Sequence, residues 1–151
     1  MTVVCVAGGE RRRDSVAAGL AALPNVDWVL VHDAARPLAN KALADRVLAA
    51  ARETGAAIPG LPIYDTIKVI DDEGLVLKTS ERSSLRAIQT PQVFSADLLR
   101  RAHSEVEGDA SDDAWLVEQL GATVRVVEGE PAALKVTTAE DLERVRALAE
   151  G

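Results

Sequence analysis

Hydrophobic and polar positions alternate in blocks along this chain. Short β-branched runs give way repeatedly to Ala/Leu-rich stretches with helical spacing. Thr2–Ala7 reads as a strand broken by Gly8-Gly9, and Asp14–Leu23 as a short helix stopped by Pro24. Trp28–Val31 is a continuous apolar strand, the pattern of a strand buried on both faces. Asn40 is placed to N-cap a helix reaching Thr54, with Leu43, Val47, Leu48 and Ala51 on one face and Gly55 just past its end. After a strand at Ala56–Ile58 the rhythm changes. Ile63–Ile70 and Leu75–Lys78 flank Asp71-Asp72-Glu73-Gly74, which predicts an inserted β-hairpin, an arm over residues 63–84. Leu85–Val93 is extended and contains Pro91. Ser95 opens a helix to about Val106, and Asp112–Leu120 is a helix closed by Gly121. Thr123–Val127 and Leu134–Val136 are short strands, and Thr137-Thr138-Ala139-Glu140 has the form of a capping box opening the last helix. This order predicts one α/β domain over residues 1–151, built on an open, mostly parallel sheet. In such folds sites gather beyond the carboxyl ends of the strands.

Composition narrows the function classes. The chain has 151 residues, a formal net charge of −7 and 3% aromatic residues. The acidic balance argues against a nucleic-acid polymer or an anionic membrane surface as partner, and so few aromatics leave little for base stacking. No apolar run approaches the ~20 residues of a membrane helix. No secretory signal is evident at Met1, and the one cysteine, Cys5, alternates with valines as a buried small hydrophobe would. Together these lead to an expectation of a cytoplasmic location.

Polar residues of chemical interest cluster at strand ends. Gly8-Gly9 precedes Arg11, Arg12, Arg13, Asp14 and Ser15 at a helix start. That combination favours an anion, but taken alone a tight turn with solvated charge explains it better. His32-Asp33-Ala34-Ala35-Arg36-Pro37 follows the most apolar strand. Asp33 there can meet a cation or hydroxyl and Arg36 a phosphate, or the two can close the loop as an ion pair. His32 reads as structural. His103 falls on the polar part of its helix, and no zinc-ligand spacing exists. Asp65-Thr66-Ile67-Lys68 opens the hairpin, and Arg82 lies in a polar loop after it. Gln89-Thr90-Pro91-Gln92 sets two amides and a hydroxyl in an apolar extended segment, either to satisfy backbone groups or to face a ligand. Ser111-Asp112-Asp113 suits an N-cap. Lys135 lies between Leu134 and Val136, so its ammonium either snorkels or aims at an anion.

In this order, these segments resemble the 2-C-methyl-D-erythritol 4-phosphate cytidylyltransferase family over essentially the whole chain. The strings that carry the resemblance are Gly8–Val16, Val31–Pro37, Asp65–Lys68, Gln89–Gln92, Asp112–Ala114, Val127–Gly129 and Leu134–Thr137. The ribitol 5-phosphate cytidylyltransferases share much of the pattern. The resemblance implies a nucleotidyltransferase-type, Rossmann-like sheet, CTP as substrate and Mg²⁺ as cofactor. It implies that Gly9, Arg12, Ser15, Asp33 and Ala34 meet the nucleotide, with Asp33 also near the metal. It implies that Asp33, Arg36, Thr66, Arg82, Thr90, Ser111 and Lys135 hold methylerythritol phosphate, with Lys135 and Arg82 as the catalytic residues. Thr66 and Arg82 would reach over from a partner subunit, because the family's hairpin arm embraces its mate in a homodimer. Ser111 replaces the more usual Thr, and Arg86 stands where Trp is common.

The family pattern also has strands and a Gly-rich, Pro-Lys-containing loop ahead of the part matched here, with no counterpart before Thr2. The expectation is therefore an open edge on Trp28–Val31, an unpaired Thr2–Ala7, and weak or no turnover. A third reading follows from the same feature, a non-catalytic chain that associates through that edge.

Overall fold

The computed structural model describes residues 2–150. Helices α1 (Arg12–Ala22), α2 (Lys41–Thr54), α3 (Ala96–Glu105), α4 (Asp113–Gln119) and α5 (Ala139–Glu150) alternate with strands β1 (Trp28–Val31), β2 (Ala56–Pro62), β3 (Lys68–Ile70), β4 (Val76–Thr79), β5 (Arg86–Ile88), β6 (Gln92–Ser95) and β7 (Arg125–Glu128). The local signals behave as the sequence predicts at α2. Asn40 accepts a hydrogen bond from the Leu43 N–H at 2.8 Å, and Gly55 closes the helix at φ 84°, where a side chain would be strained. The capping box of α5 is displaced by one residue. Thr138 Oγ1 accepts from the Asp141 N–H, and the Asp141 carboxylate accepts from the Thr138 N–H.

The main sheet runs β1-β6-β2, with β7 on the other side of β2. β1 and β2 both pair antiparallel with β6, and β7 pairs parallel with β2, so β1, β2 and β7 point the same way. The mostly parallel sheet is thus present in strand direction. The one counter-running segment is the predicted Leu85–Val93 stretch. β5 and β6 both pair with β2 (Gly60↔Ile88 and Ala57↔Val93) and act as one strand interrupted at Thr90-Pro91, whose peptide bond is cis.

Period-2 alternation sends the sheet's side chains to two cores. Ala56, Ile58 and Phe94 pack with Leu20, Leu99, Ala102, Leu116 and Val117 from α1, α3 and α4. Ala57 and Val93 face the other way, against Leu43, Val47 and Ala51 of α2. The sheet is a layer between helices, which is the α/β architecture expected. The hairpin β3–β4 forms its own two-stranded sheet. It leaves Ile70, Leu75, Val76 and Leu77 exposed.

Thr2–Ala7 has no strand partner among the described residues and β1 ends the sheet order, the unpaired segment and open edge expected from the sequence. Other expectations change. Thr2–Ala7 forms no strand, and Cys5 within it is exposed rather than buried. β1 is not buried on both faces: Leu30 is 48% exposed, lining an apolar groove of about 790 Å³ with α1 and Thr2, Val3, Val4 and Val6. Leu134–Val136 is irregular rather than a strand, so Lys135 stands on a loop. The His103 side chain turns inward and is 6% exposed.

Candidate active site

A second cleft, about 320 Å³, opens beyond the carboxyl end of β1 and is lined by Arg12, Asp33, Arg36, Thr90, Ser111, Asp112 and Lys135, among others. Its geometry centres on Asp33. Arg12 Nε lies 3.6 Å from one carboxylate oxygen, while Arg36 Nε (3.7 Å) and Lys135 Nζ (3.2 Å) approach the other. Three cations from α1, the loop after β1 and the loop after β7 therefore converge on one carboxylate. The net positive balance of this constellation favours an anion in the cleft.

Each cation is placed by different local chemistry. Arg36 is 11% exposed and spends most of its guanidinium on backbone, donating to the Ala133 carbonyl (2.9 Å) and the Ile88 carbonyl (3.4 Å). Burial lowers its pKa, partly offset by the Asp33 charge, yet a guanidinium keeps its proton at any physiological pH. Lys135 is 45% exposed and held nearby because the Val136 N–H donates to the Ala35 carbonyl at 2.8 Å, tying the two loops together. Arg12 is gripped from behind. Its Nη1 donates to Asp113 Oδ2 at 2.6 Å. Burial pulls the Arg12 pKa down, but the Asp113 and Asp33 carboxylates raise it on balance. Burial pushes the Asp113 carboxyl up. The His103 hydrogen bond and the Arg12 charge outweigh it, so the net shift is downward.

The Gln89–Gln92 segment organises the cleft wall. Buried Gln89 donates to the Glu130 and Ala133 carbonyls (2.9 and 3.2 Å) and accepts from the Glu130 N–H (2.9 Å), stapling the loop that leads to Lys135. Thr90 Oγ1 accepts from the Asp33 N–H at 3.0 Å and lies 2.9 Å from His32 Nδ1. Since His32 Nε2 lies 3.2 Å from the Arg36 carbonyl, the ring is set as the Nε2–H tautomer, with the Thr90 hydroxyl donating to Nδ1. His32 is structural, as read from the sequence. Gln92 donates to Asp112 Oδ2 (2.8 Å), and Asp112 caps α4 by accepting from the Trp115 N–H (2.9 Å). Gln89 and Thr90 thus do satisfy backbone groups, and in doing so they position Lys135 and Asp33, while Gln92 holds a side chain, the Asp112 carboxylate.

The structure brings Arg12, Asp33, Arg36, Thr90, Ser111 and Lys135 to one cleft. Gly9, Ser15 and Ala34 do not line it. Ser15 Oγ accepts from the Gly9 N–H at 3.1 Å, and a Cβ at Gly9 would collide with Asp14, so the glycine allows the chain to fold tightly onto α1. Thr66 and Arg82 lie at the hairpin, outside the cleft of their own chain, where Arg82 donates to the Tyr64 carbonyl. Of the arginine run, only Arg12 borders the cleft. Arg11 pairs with Asp14, and Arg13 caps α3 by donating to the Val106 and Gly108 carbonyls. Sequence reasoning missed the roles of Asp113 and His103. A carboxylate at the first position of α4 looks like ordinary helix-dipole chemistry until α1 is packed against it.

For a metal, no group of three or more His, Cys, Asp or Glu side chains is assembled among the described residues. Asp33 and Asp112 both line the cleft; Asp112 is committed to its cap, and Asp33 is already faced by Arg12, Arg36 and Lys135. A cation such as Mg²⁺, which takes one or two carboxylates and completes its shell with phosphate oxygens and water, would be held through Asp33 only together with the substrate phosphates that draw those three side chains away.

A layered α/β sheet with a cation-lined cleft beyond a strand's carboxyl end is the arrangement of a nucleotidyltransferase-type protein. The family model of IspD, 2-C-methyl-D-erythritol 4-phosphate cytidylyltransferase, matches residues 1–150. A Rhodococcus jostii protein of that name is 55% identical over 149 residues, covering 98% of this chain and 66% of the relative. One from Dehalococcoides mccartyi is 46% identical over 140 residues, covering 93% and 62%. The crystal structure of the Thermus thermophilus enzyme of that name superposes with a TM-score of 0.86 at 44% identity, covering 97% of this chain and 73% of that one. The 4-diphosphocytidyl-2C-methyl-D-erythritol synthase from Anaerococcus prevotii gives a TM-score of 0.88 at 35% identity, covering 97% and 69%. The chain belongs to the 2-C-methyl-D-erythritol 4-phosphate cytidylyltransferase family. It spans about two thirds or slightly less of the length of the curated relatives it matches.

Proposed function

We propose that this chain serves a cytidylyltransferase reaction, joining CTP and 2-C-methyl-D-erythritol 4-phosphate to give 4-diphosphocytidyl-2-C-methylerythritol and pyrophosphate, a step of non-mevalonate isoprenoid synthesis. The observation that carries it is the convergence of Arg12, Arg36 and Lys135 on Asp33. In this reading an oxygen of the sugar phosphate attacks the α-phosphorus of CTP. The bond between the α-phosphorus and the bridging oxygen breaks, and pyrophosphate leaves with its electron pair. The nucleophile is already ionised at neutral pH, so no general base is needed. The task is to bring two anions together and hold them in line. Arg36 and Lys135 take the sugar phosphate, Arg12 faces the nucleotide side, and Ser111 offers a hydroxyl at the rim. Mg²⁺ bound through Asp33 would neutralise phosphate charge.

The family's arm supports a homodimer through residues 63–84. Thr66 and Arg82 lie outside their own chain's cleft, and the hairpin's apolar side chains are exposed. In that dimer Arg82 and Thr66 complete the partner's sugar-phosphate site. Sequence likeness and the single cysteine support a cytoplasmic setting.

Following pyrophosphate release from CTP, Mg²⁺ and methylerythritol phosphate tests the proposal. Turnover supports it. Absence of both turnover and CTP binding overturns it for this chain. Competition with ribitol 5-phosphate separates the alternative alditol-phosphate specificity. The exposed edge of β1 favours a second reading, a non-catalytic chain associating through that edge. That reading predicts association in a sizing experiment without nucleotide affinity.

A further inference from the structure

Behind the cleft lies a buried polar cluster that phosphate binding does not itself use. Asp113, whose side chain is 1% exposed, has both carboxylate oxygens engaged. Oδ2 accepts from Arg12 Nη1 at 2.6 Å, and Oδ1 lies 2.8 Å from His103 Nε2. The cluster therefore joins α1, α4 and α3. The His103 carbonyl is held in turn by Arg13 Nη2 at 3.3 Å.

We propose that His103 is a positioning residue. Its Nε2–H occupies one oxygen of Asp113, so that the other oxygen fixes Arg12 with the rest of its guanidinium turned to the cleft. This rests on reading Arg12 as an anion-binding group.

The terminal torsion of an aspartate is soft and roughly two-fold, so a carboxylate held at one oxygen can swing. Held at both, it presents a fixed acceptor. Arg12 is a long side chain whose Nη1 bond to Asp113 is its one side-chain hydrogen bond among the described residues; the Asp33 carboxylate approaches Nε only to 3.6 Å, so the aim of the guanidinium depends chiefly on Asp113. Buried His103 Nδ1 has no partner while Nε2 lies 2.8 Å from Asp113 Oδ1, so the ring proton that makes a bond is the one on Nε2, directed at Asp113. Without the imidazole, the Asp113 oxygen facing α3 would be buried and unpaired. The carboxyl would then turn or take up a proton, and either change releases Arg12.

The test uses the full chain and side-chain nitrogen NMR, with titration of inorganic pyrophosphate. In the unaltered protein the expected signature is an Nε2–H tautomer for His103 with a slowly exchanging ring proton, and a protected Arg12 Nη1–H, the group bonded to Asp113. His103→Leu should erase the Arg12 protection and weaken pyrophosphate binding by about fivefold or more, the range of coupling between groups in one network. His103→Gln retains a side-chain N–H donor and should restore both. An Nδ1–H tautomer in the unaltered chain overturns the proposal, as does an Arg12 signal unchanged by His103→Leu. If His103→Leu does not fold, the tautomer and the Gln variant still decide the matter. If the NMR signatures hold but pyrophosphate does not bind, the positioning stands and the phosphate-binding reading falls.

Discussion

Replacing Asp33 with asparagine should make the cleft a better anion site and the protein a less stable one. Asp33 is the counter-charge for cations at 3.2, 3.6 and 3.7 Å. At these distances a unit pair is worth about 1 kcal/mol in water and roughly 5 kcal/mol at an effective dielectric of 20. The Lys135 pair sits toward the watery limit. Arg36 and Asp33 are mostly buried but separated beyond hydrogen-bond reach. Measured values for such pairs lie low in the range, so the summed loss of stability should be about 1–3 kcal/mol. The side-chain change leaves the hydrogen bond from the Asp33 N–H to Thr90 in place, so the loop should keep its course.

For an incoming phosphate the sign reverses. Removing a negative charge some ~5 Å away relieves about 1–3 kcal/mol of repulsion, or roughly 5- to 100-fold in affinity. Calorimetric titration with inorganic pyrophosphate, in chelator and at low salt, reads this directly. In Mg²⁺ the comparison should invert. The unaltered protein gains affinity from a metal held by Asp33, and the asparagine variant gains little. Equal or weaker pyrophosphate binding by Asp33→Asn in chelator, with thermal stability unchanged, would refute the view that these cations form an anion cradle neutralised by Asp33.

Asp113→Asn should destabilise the protein at pH 7 by breaking a buried, doubly partnered carboxylate, by about 3 kcal/mol or more. Because the folded-state pKa of Asp113 is depressed, its contribution is present above the ordinary carboxyl value and lost as pH falls through the lower folded value. Thermal melts should therefore show the difference between variant and parent shrinking below about pH 4, and a constant difference would contradict it. Gln89→Leu removes the staple on the loop at residues 130–133, leaving backbone groups there unpaired. A loss of about 2–4 kcal/mol in denaturant unfolding, with weaker anion binding through displaced Lys135, is expected. Leu77→Asp places charge on the apolar hairpin and should shift a dimer to monomer in sedimentation; an unaltered sedimentation profile of a dimeric parent would exclude the arm as the interface.

Much of the fold was legible because local signals and tertiary context agree. Asn40, Gly55 and the Leu43/Val47/Ala51 stripe define α2 without reference to anything distant. β1 illustrates the opposite case. Four consecutive apolar residues say that a strand forms, but not whether both its edges and faces are covered. The structure leaves Leu30 open. Lys135 stands out in the sequence as a cation among apolar neighbours, although the segment is a loop and the partner, Asp33, lies about a hundred residues earlier. The amides at Gln89 and Gln92 drew attention by being polar in an apolar stretch. Which groups they would satisfy depended on loops brought in by β7 and α4. Asp113 and His103 gave no sign, because each has an ordinary helical explanation and only packing unites them with Arg12.

The arginine run at the start of α1 shows how little a cluster in sequence says about a cluster in space. Successive helical residues are turned by about 100° from one another, so Arg12 and Arg13 leave the axis in different directions and serve different neighbours. One guards the mouth of the cleft, and the other buckles α3 to its following loop. Letting Glu10 and Arg12 trade places would leave composition and net charge untouched. It would nonetheless strip the cleft of that cation and set a second carboxylate against Asp113.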